Sequence, residues 1–452
     1  MITTYFIALF ASLNIIYLIL GLIASRKVES TADYFLAGRN LGLIPVTLTL
    51  VATQIGGGML TGTAQQAYVH GFYGLLYTIG MCIGFTILGL GLASRLQSLQ
   101  VQTTAQLFEV AYDSVLLKKI ASLLSVFTMS GILVAQILAS RAILNGVGLP
   151  HEAIFVGFWL FIIIYTMSGG LKAVVWTDMA QVLVIIGVFG WLFYGSLSGD
   201  PKALFNIKNL FKLQNYFFGS KCIDNNTIAL TVGMPALFSL IEQDLAQRFF
   251  AARSKIVASA SALCASLILI GFAMIPIYFG MKAKVLGLKI GDASPLVPVL
   301  KLLTSEFVVA FALCAILAAI TSTADSVLCA ISSNLAQDFD YSFLRVNKLR
   351  LAQIITCVVG LFAILASYTV PHNIIGTLVE SYSISVCCLL VPLLFAYLGV
   401  RGKKHAALFS VVAGFVALVT FTFFPVAMPK EFAALAVSGV TYVVVFVVSL
   451  LA

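Results

Sequence analysis

Four residues of one apolar stretch, Ala319, Ser322, Thr323 and Ser326, recur at i, i+3, i+4 and i+7 and so share one face of a helix. Hydroxyl oxygens in such a stripe form half a shell for a small hard cation, which takes oxygen ligands. Small residues at this spacing also let helices approach and bond across an interface, so the stripe alone supports both readings. A partner for it lies in Leu50–Thr63, LVATQIGGGMLTGT, where three consecutive glycines, Gly56, Gly57 and Gly58, interrupt an apolar run. Glycine in a helix interior costs roughly 1 kcal/mol against alanine. Loosened backbone at bilayer depth is tolerated only where protein buries it or a cavity adjoins it. Carbonyls freed there, around Ala52 and Ile55, would supply the rest of the shell. Thr53, Gln54, Gly57, Gly58 and Thr61, which flank or form the break, are the first candidates to touch a solute.

Ionisable residues inside a bilayer are costly and functional by default, and four stand out within apolar runs: Asp178, Asp325, Glu380 and Arg141. Asp178 suits a cation ligand. Asp325 directly follows the hydroxyl pair and has three open roles: ion ligand, proton carrier, or partner of a neighbouring helix. Arg141 lies in the outer half of its run. It either snorkels to the interface or faces a cavity and clamps a carboxylate with its planar fork. For Glu380, pairing with a basic group and a functional role stand level. His70, His151, His372 and His405 lie near run ends and cluster with no nucleophile, and no Walker, Rossmann or HExxH pattern occurs. Neither an enzyme nor ATP-driven transport has support.

The elements that must position these groups are membrane spans. With 61% hydrophobic residues, 10% charged residues and a mean hydropathy of +1.07, the chain reads as an all-α polytopic membrane protein. Runs long enough to cross a bilayer lie at 4–25, 42–69, 73–97, 119–146, 152–170, 173–197, 226–246, 256–281, 306–337, 349–369, 374–399, 405–426 and 432–452, thirteen in all. The first run has no basic residue before it, Arg26-Lys27 directly after it and no small-residue cleavage site, so it is a span and not a signal peptide. Lys and Arg gather in cytoplasmic loops. An outside N-terminus puts sixteen of them on the inner side, Arg248 included, and nine on the outer, eight of these in the connectors 198–225 and 282–305. The N-terminus is therefore expected outside and the C-terminus inside. The net charge of +9 is then a topology signal, since a nucleic-acid surface needs basic residues clustered on one face. The eight cysteines have no paired metal spacing, and only Cys222 is expected to be exposed.

A second interruption, Gly233-Met234-Pro235, opens a second block of five spans as Gly56–Gly58 opens the first. Five is odd, so the second block runs through the membrane in the opposite sense. That is an inverted repeat, with its site at the midplane between the broken helices. The expected organisation is a first helix with its cytoplasmic connector (1–41), a first five-helix repeat (42–200), a second with its extracytoplasmic connector (201–400), and two additional C-terminal helices (401–452).

Several fragments resemble the sodium/solute symporter family, which includes bacterial proline, galactose and sialic acid symporters. They are Asp33-Tyr34-Phe35-Leu36-Ala37-Gly38-Arg39, then Gly169-Gly170-Leu171-Lys172-Ala173-Val174 running to Thr177-Asp178. Gln243-Asp244 with Gln247-Arg248 and Ala251-Ala252 follow, and then Ser322-Thr323-Ala324-Asp325-Ser326. The resemblance covers roughly residues 30–400 and implies the leucine-transporter fold, five plus five inverted helices. It further implies a sodium site from carbonyls of Ala52, Ile55 and Ala319 and hydroxyls of Ser322 and Thr323. Some members bind a second sodium through an aspartate equivalent to Asp178 and two hydroxyls. Here Ser326 matches one hydroxyl and Asp325 replaces the other. Gln54 stands where proline symporters carry an aspartate, which disfavours proline. In sialic acid symporters an arginine of the fourth span holds the substrate carboxylate, a part Arg141 would play.

The expected function is sodium-coupled import of a small organic solute, carboxylate-bearing by the lean of Arg141, by alternating access. Na+ and the solute are the partners, the setting is the bilayer of a bacterial cytoplasmic (inner) membrane, nucleic acid is excluded, and a monomer is the default. The rivals are a proton-coupled symporter using Asp178, Asp325 or Glu380, a passive channel, and a non-transporting membrane sensor. Against the sensor, the chain ends at Ala452 within its last span, with no signalling domain expected beyond it.

Overall fold

The computed structural model describes residues 2–26, 28–149, 151–198, 223–290, 294–369, 374–397 and 403–451, so Cys222 and His372 lie outside the described residues. The helices are α1 (Ile2–Ser25), α2 (Thr31–Leu36), α3 (Leu43–Gln54), α4 (Thr63–His70), α5 (Leu76–Ile87), α6 (Ala93–Ser98), α7 (Thr104–Tyr112), α8 (Val115–Val147) and α9 (Glu152–Ser198). They continue as α10 (Asn225–Phe238), α11 (Gln243–Ala251), α12 (Lys255–Val285), α13 (Leu296–Leu303), α14 (Glu306–Asp338), α15 (Lys348–Ala366), α16 (Ile374–Tyr397), α17 (Lys404–Phe423) and α18 (Lys430–Leu451). Hydroxyl caps start two of the long ones: Ser114 accepts from the Leu117 N–H at α8, and Ser254 from the Val257 N–H at α12.

Among the described residues eleven helical stretches are long and apolar enough to cross a membrane, and the short helix Leu43–Gln54 is apolar as well. Two stretches pass twice. Along α1, Phe10 meets Phe158 and Ser25 approaches Gly169, yet Gly21 already approaches Thr177. The chain has therefore turned back at Gly170, whose φ of 54° and ψ of −151° interrupt α9. A side chain at Gly170 would strike the Tyr34 carbonyl, so only glycine makes this reversal. Likewise the stretch from α3 to α6 begins and ends on one side. Arg39, just before it, donates to the Gln100 side chain at 3.1 Å and to the Gln100 and Val101 carbonyls at 2.8 and 3.0 Å, just after it. The protein is thus an all-helical membrane protein, with thirteen passes among the described residues.

The second interruption is displaced from its expected place. Gly233-Met234-Pro235 lies inside an unbroken α10, and the helix opens only between Phe238 and Gln243. Gly233 serves the packing of Phe432, whose ring would meet a Cβ there at 2.6 Å. The Pro235 carbonyl still accepts from the Ser239 N–H, so the ladder runs past the proline. The break comes at Ser239–Glu242, where the Tyr397 hydroxyl donates to the Leu240 carbonyl at 3.0 Å and replaces a lost helical bond.

α14 sits at the centre of the bundle, packed by α1, α3, α8, α9 and α15, while α17 and α18 pair at the periphery against α16. The two broken helices are tied at one end. Leu41 N–H donates to the Ala251 carbonyl at 3.0 Å, Arg253 N–H returns to the Leu41 carbonyl at 2.9 Å, and Gln247 Nε2 donates to the Phe35 carbonyl at 2.6 Å. The fragments around Tyr34–Arg39 and Gln247–Ala252 are therefore one junction in space.

Candidate functional site

α3 ends at Gln54 because Ile55, with φ −81° and ψ 67°, turns its peptide out of the helical path. The stripe of α14 faces that end. Ser322 Oγ donates at 2.9 Å to the Ala52 carbonyl and lies 2.9 Å from the Ala319 carbonyl. Thr323 Oγ1 donates at 2.8 Å to the Thr53 carbonyl and lies 3.2 Å from the Ala319 carbonyl. Carbonyl oxygens from two helices and two buried hydroxyls thus converge, joined without any charged group. Such hydroxyls can donate to carbonyls or turn their lone pairs to a cation.

The triple glycine is what permits this approach. A Cβ on Gly56 would stand 2.5 Å from Thr323 Oγ1 and 3.0 Å from Gln136 Oε1; one on Gly57 would stand 2.7 Å from Ala139 Cβ. The Gly57 N–H, freed from the ladder, donates to Gln136 Oε1 at 2.9 Å. Gln136 therefore belongs to the site although no pattern in the sequence marks it.

Asp178 and Ser326 also come together, but a side chain of the protein itself stands between them. Arg248 is fully buried and donates to Asp178 at 3.2 Å, to Ser326 Oγ at 2.5 Å, to Thr49 Oγ1 at 3.0 Å and to the Asp244 carbonyl at 2.8 Å. Thr49 in turn donates to Asp178. This corrects two expectations. Arg248 is no cytoplasmic-loop charge, because α11 continues the span past the break as far as Ala251 and keeps Arg248 buried. The place assigned to a second cation already holds a guanidinium. Asp325, one residue from Ser326, points to a different neighbour and accepts from the Tyr165 hydroxyl of α9. Among the described residues Asp178 Oδ1 and Asp325 Oδ1 are buried and have no hydrogen-bond partner.

Beside the hydroxyl cluster is a cavity of about 20 Å³, bordered by Thr53, Gln54, Gln136 and Thr323 on one side and by Glu242, Tyr77 and Tyr382 on the other. That is room for roughly one water, so any organic solute requires the surrounding helices to part. Gly58 borders the cavity too, whereas Gly57 faces Ala139 and is not exposed to it. Thr61 is also excluded, since its hydroxyl bonds back to the Gly57 carbonyl at 2.5 Å. Arg141 is a clear correction. Its guanidinium lies 4.3 Å from the ring centres of both Phe155 and Tyr368 and pairs with Glu152 at 3.3 Å, at the outer end of α8. Gln136, five residues earlier, holds the face of α8 that meets the break. Glu380 is exposed.

Glu242, which borders the cavity, and Asp244, two residues on, are acidic groups that the sequence did not assign to the site. Both are buried, and Asp244 accepts from Thr53 Oγ1 at 3.0 Å and from the Leu245 N–H at 2.9 Å. Their signal was present, because both fall inside the apolar run 226–246, where an ionisable residue is functional by default.

Comparison with known proteins completes the picture. The Sodium:solute symporter family matches residues 34–414. The chain is 26% identical over 433 residues to the high-affinity choline transporter 1 of Drosophila melanogaster, covering 89% of this chain and 68% of that protein. It is 23% identical over 450 residues to the sodium/proline symporter of Salmonella typhimurium, covering 89% and 85%. Among solved structures, a Na+-coupled sialic acid symporter in a substrate-bound, outward-open state superposes with a TM-score of 0.77 at 17% identity, covering 98% of this chain and 97% of that one. Mhp1, a nucleobase-cation-symport-1 family transporter in a closed conformation, superposes with a TM-score of 0.59 at 14% identity, covering 91% and 92%. These two share the leucine-transporter-like fold with this chain.

Proposed function

The chain belongs to the Sodium:solute symporter family and is a sodium-coupled solute symporter; from that premise we propose that the coupled sodium binds between the broken end of α3 and the stripe of α14. Its ligands are the carbonyls of Ala52, Ile55 and Ala319 and the hydroxyls of Ser322 and Thr323. One observation carries this assignment: Ser322 Oγ lies 2.9 Å from both the Ala52 and the Ala319 carbonyl, so three oxygens from two helices already converge. Sodium drawn into the cluster turns the hydroxyl protons away and replaces hydroxyl–carbonyl bonds with shared ligation. Binding there fastens α3 to α14 and orders the peptide of Ile55 and Gly56.

The solute occupies the adjacent cavity, against Thr53, Gln54, Gly58 and Gln136, and reaches it when the helices around Tyr77 and Tyr382 part. Sodium and solute then stabilise the same arrangement of the break, and each raises the affinity of the other by the same factor. The buried Arg248 supports one sodium per cycle, because a tethered guanidinium already neutralises Asp178. Inward movement of that single charge contributes about 2.3 kcal/mol per 100 mV. The basic loops support an outside N-terminus and an inside C-terminus. The relatives' names, choline for one and proline for another, point to different solutes. Arg141 lies too far out along α8 to select a carboxylate.

The test is uptake into proteoliposomes by the Ser322→Ala, Thr323→Ala double variant. Sodium stimulation of uptake should be lost while the protein remains folded. Full sodium dependence in that variant would overturn the assignment.

A further inference from the structure

Resting on the cavity just assigned to the solute, we infer that this transporter selects a small organic cation, an amine or a quaternary ammonium, seated against Glu242 and the Tyr77–Tyr382 wall. Among the described residues Glu242 is the one carboxyl bordering the cavity, and it is 8% exposed. Asp244 lies two residues further on, also buried, and among the described residues no ammonium or guanidinium borders the space. The nearest buried cation, Arg248, is fully engaged with Asp178, Ser326, Thr49 and the Asp244 carbonyl.

Three solute classes can be weighed against this lining. A carboxylate would be brought against Glu242 with nothing to compensate it, and like charges in a site of low dielectric repel strongly. A polyol needs a free donor or acceptor for each hydroxyl. Thr53 already donates to Asp244, Thr323 to the Thr53 carbonyl, and Gln136 Oε1 accepts from Gly57. The Tyr77 and Tyr382 hydroxyls lie 2.9 Å apart and bond each other, which fixes both rings at the cavity wall. The ring of Tyr382 is held in place by stacking on Phe238 at 4.3 Å and 12°. An organic cation meets all of this: a carboxylate for its charge, aromatic faces for its polarised C–H or N–H groups, and Met59, Ile132 and Leu378 for its carbon skeleton.

The experiment is thermal unfolding of the purified full-length protein with choline, ethanolamine, putrescine, glucose and pyruvate as probes, each in sodium chloride and in potassium chloride. At least one cation should raise the unfolding midpoint in sodium and not in potassium, and neither glucose nor pyruvate should do so. Glu242→Gln should weaken that cation more than about tenfold, while Gly271→Ala, whose new Cβ meets nothing within 4 Å, should leave it unchanged. Stabilisation by glucose or pyruvate, no stabilisation by any cation, or equal cation affinity in Glu242→Gln would overturn the inference. If Glu242→Gln does not fold, the wild-type probe series decides alone. The shift produced by sodium without solute, and its loss in Ser322→Ala, reports on the sodium site separately. A retained sodium shift without cation binding refutes the solute class and leaves the sodium site standing.

Discussion

Replacing Gly56 with alanine adds one methyl group at the contact between the break and the hydroxyl stripe. The new Cβ would stand 2.5 Å from Thr323 Oγ1, 3.1 Å from Thr323 Cβ and 3.0 Å from Gln136 Oε1. Both neighbours are themselves held by hydrogen bonds, Thr323 to the Thr53 carbonyl and Gln136 to the Gly57 N–H, so neither can swing aside without breaking one. Overpacking of this kind costs about 1–3 kcal/mol. The cost falls only on the arrangement in which the break is seated on α14, because parting the two helices removes the contact. That is the arrangement sodium requires, so Gly56→Ala should weaken apparent sodium affinity by about 5–150-fold, the equivalent of 1–3 kcal/mol. The assay is the sodium concentration that half-saturates thermal stabilisation, repeated as sodium-dependent uptake. Gly271→Ala is the control, since a Cβ there meets nothing within 4 Å and a compatible Gly→Ala change is stabilising by about 0.4–1 kcal/mol. A half-saturation within twofold of wild type for a folded Gly56→Ala would show that the break and the stripe do not form the sodium site.

Arg248→Gln should be strongly destabilising, by about 3–5 kcal/mol, because Asp178 is left buried without its counter-ion. Adding Asp178→Asn should recover part of the loss in thermal unfolding, and an unchanged midpoint in the single variant would contradict the pairing. Arg141→Ala should leave the solute concentration for half-maximal uptake within twofold of wild type, and cost only the ring contacts at roughly 0.5–1 kcal/mol each and a surface ion pair of about 0–1 kcal/mol. Outside the spans, the Ser30 hydroxyl, which donates to Asp33 at 2.7 Å, and the Lys172 ammonium 3.5 Å away hold the Asp33 carboxyl below the usual carboxylate range. A lowered folded value stabilises above the ordinary pKa of about 3.9 and is lost as pH falls through the folded value. Asp33→Asn should therefore show a shallower loss of stability on acidification than wild type, measured as unfolding midpoints at neutral and acid pH.

The amino-acid order by itself determined which segments cross the bilayer, since length and hydropathy of a run are local properties that lipid reads directly. It also determined that Ala319, Ser322 and Thr323 share a face, because a 3.6-residue period needs no neighbour to define it, and that Gly56–Gly58 loosens one helix. What faces what is a different quantity. The rotation of each helix about its axis is set by packing against residues far away in the chain, and that decided the fates of Arg141 and Arg248. Arg141 was turned toward Phe155 and Tyr368, while Gln136 on the same helix was turned to the break. Arg248 was drawn inside because α11 carries the span on past a break that lies beyond Pro235 and is stabilised by a hydroxyl from Tyr397. Only the tertiary structure could place a guanidinium beside Asp178 and the Glu242 carboxyl at the cavity, because burial and pairing of charge depend on every helix that surrounds them.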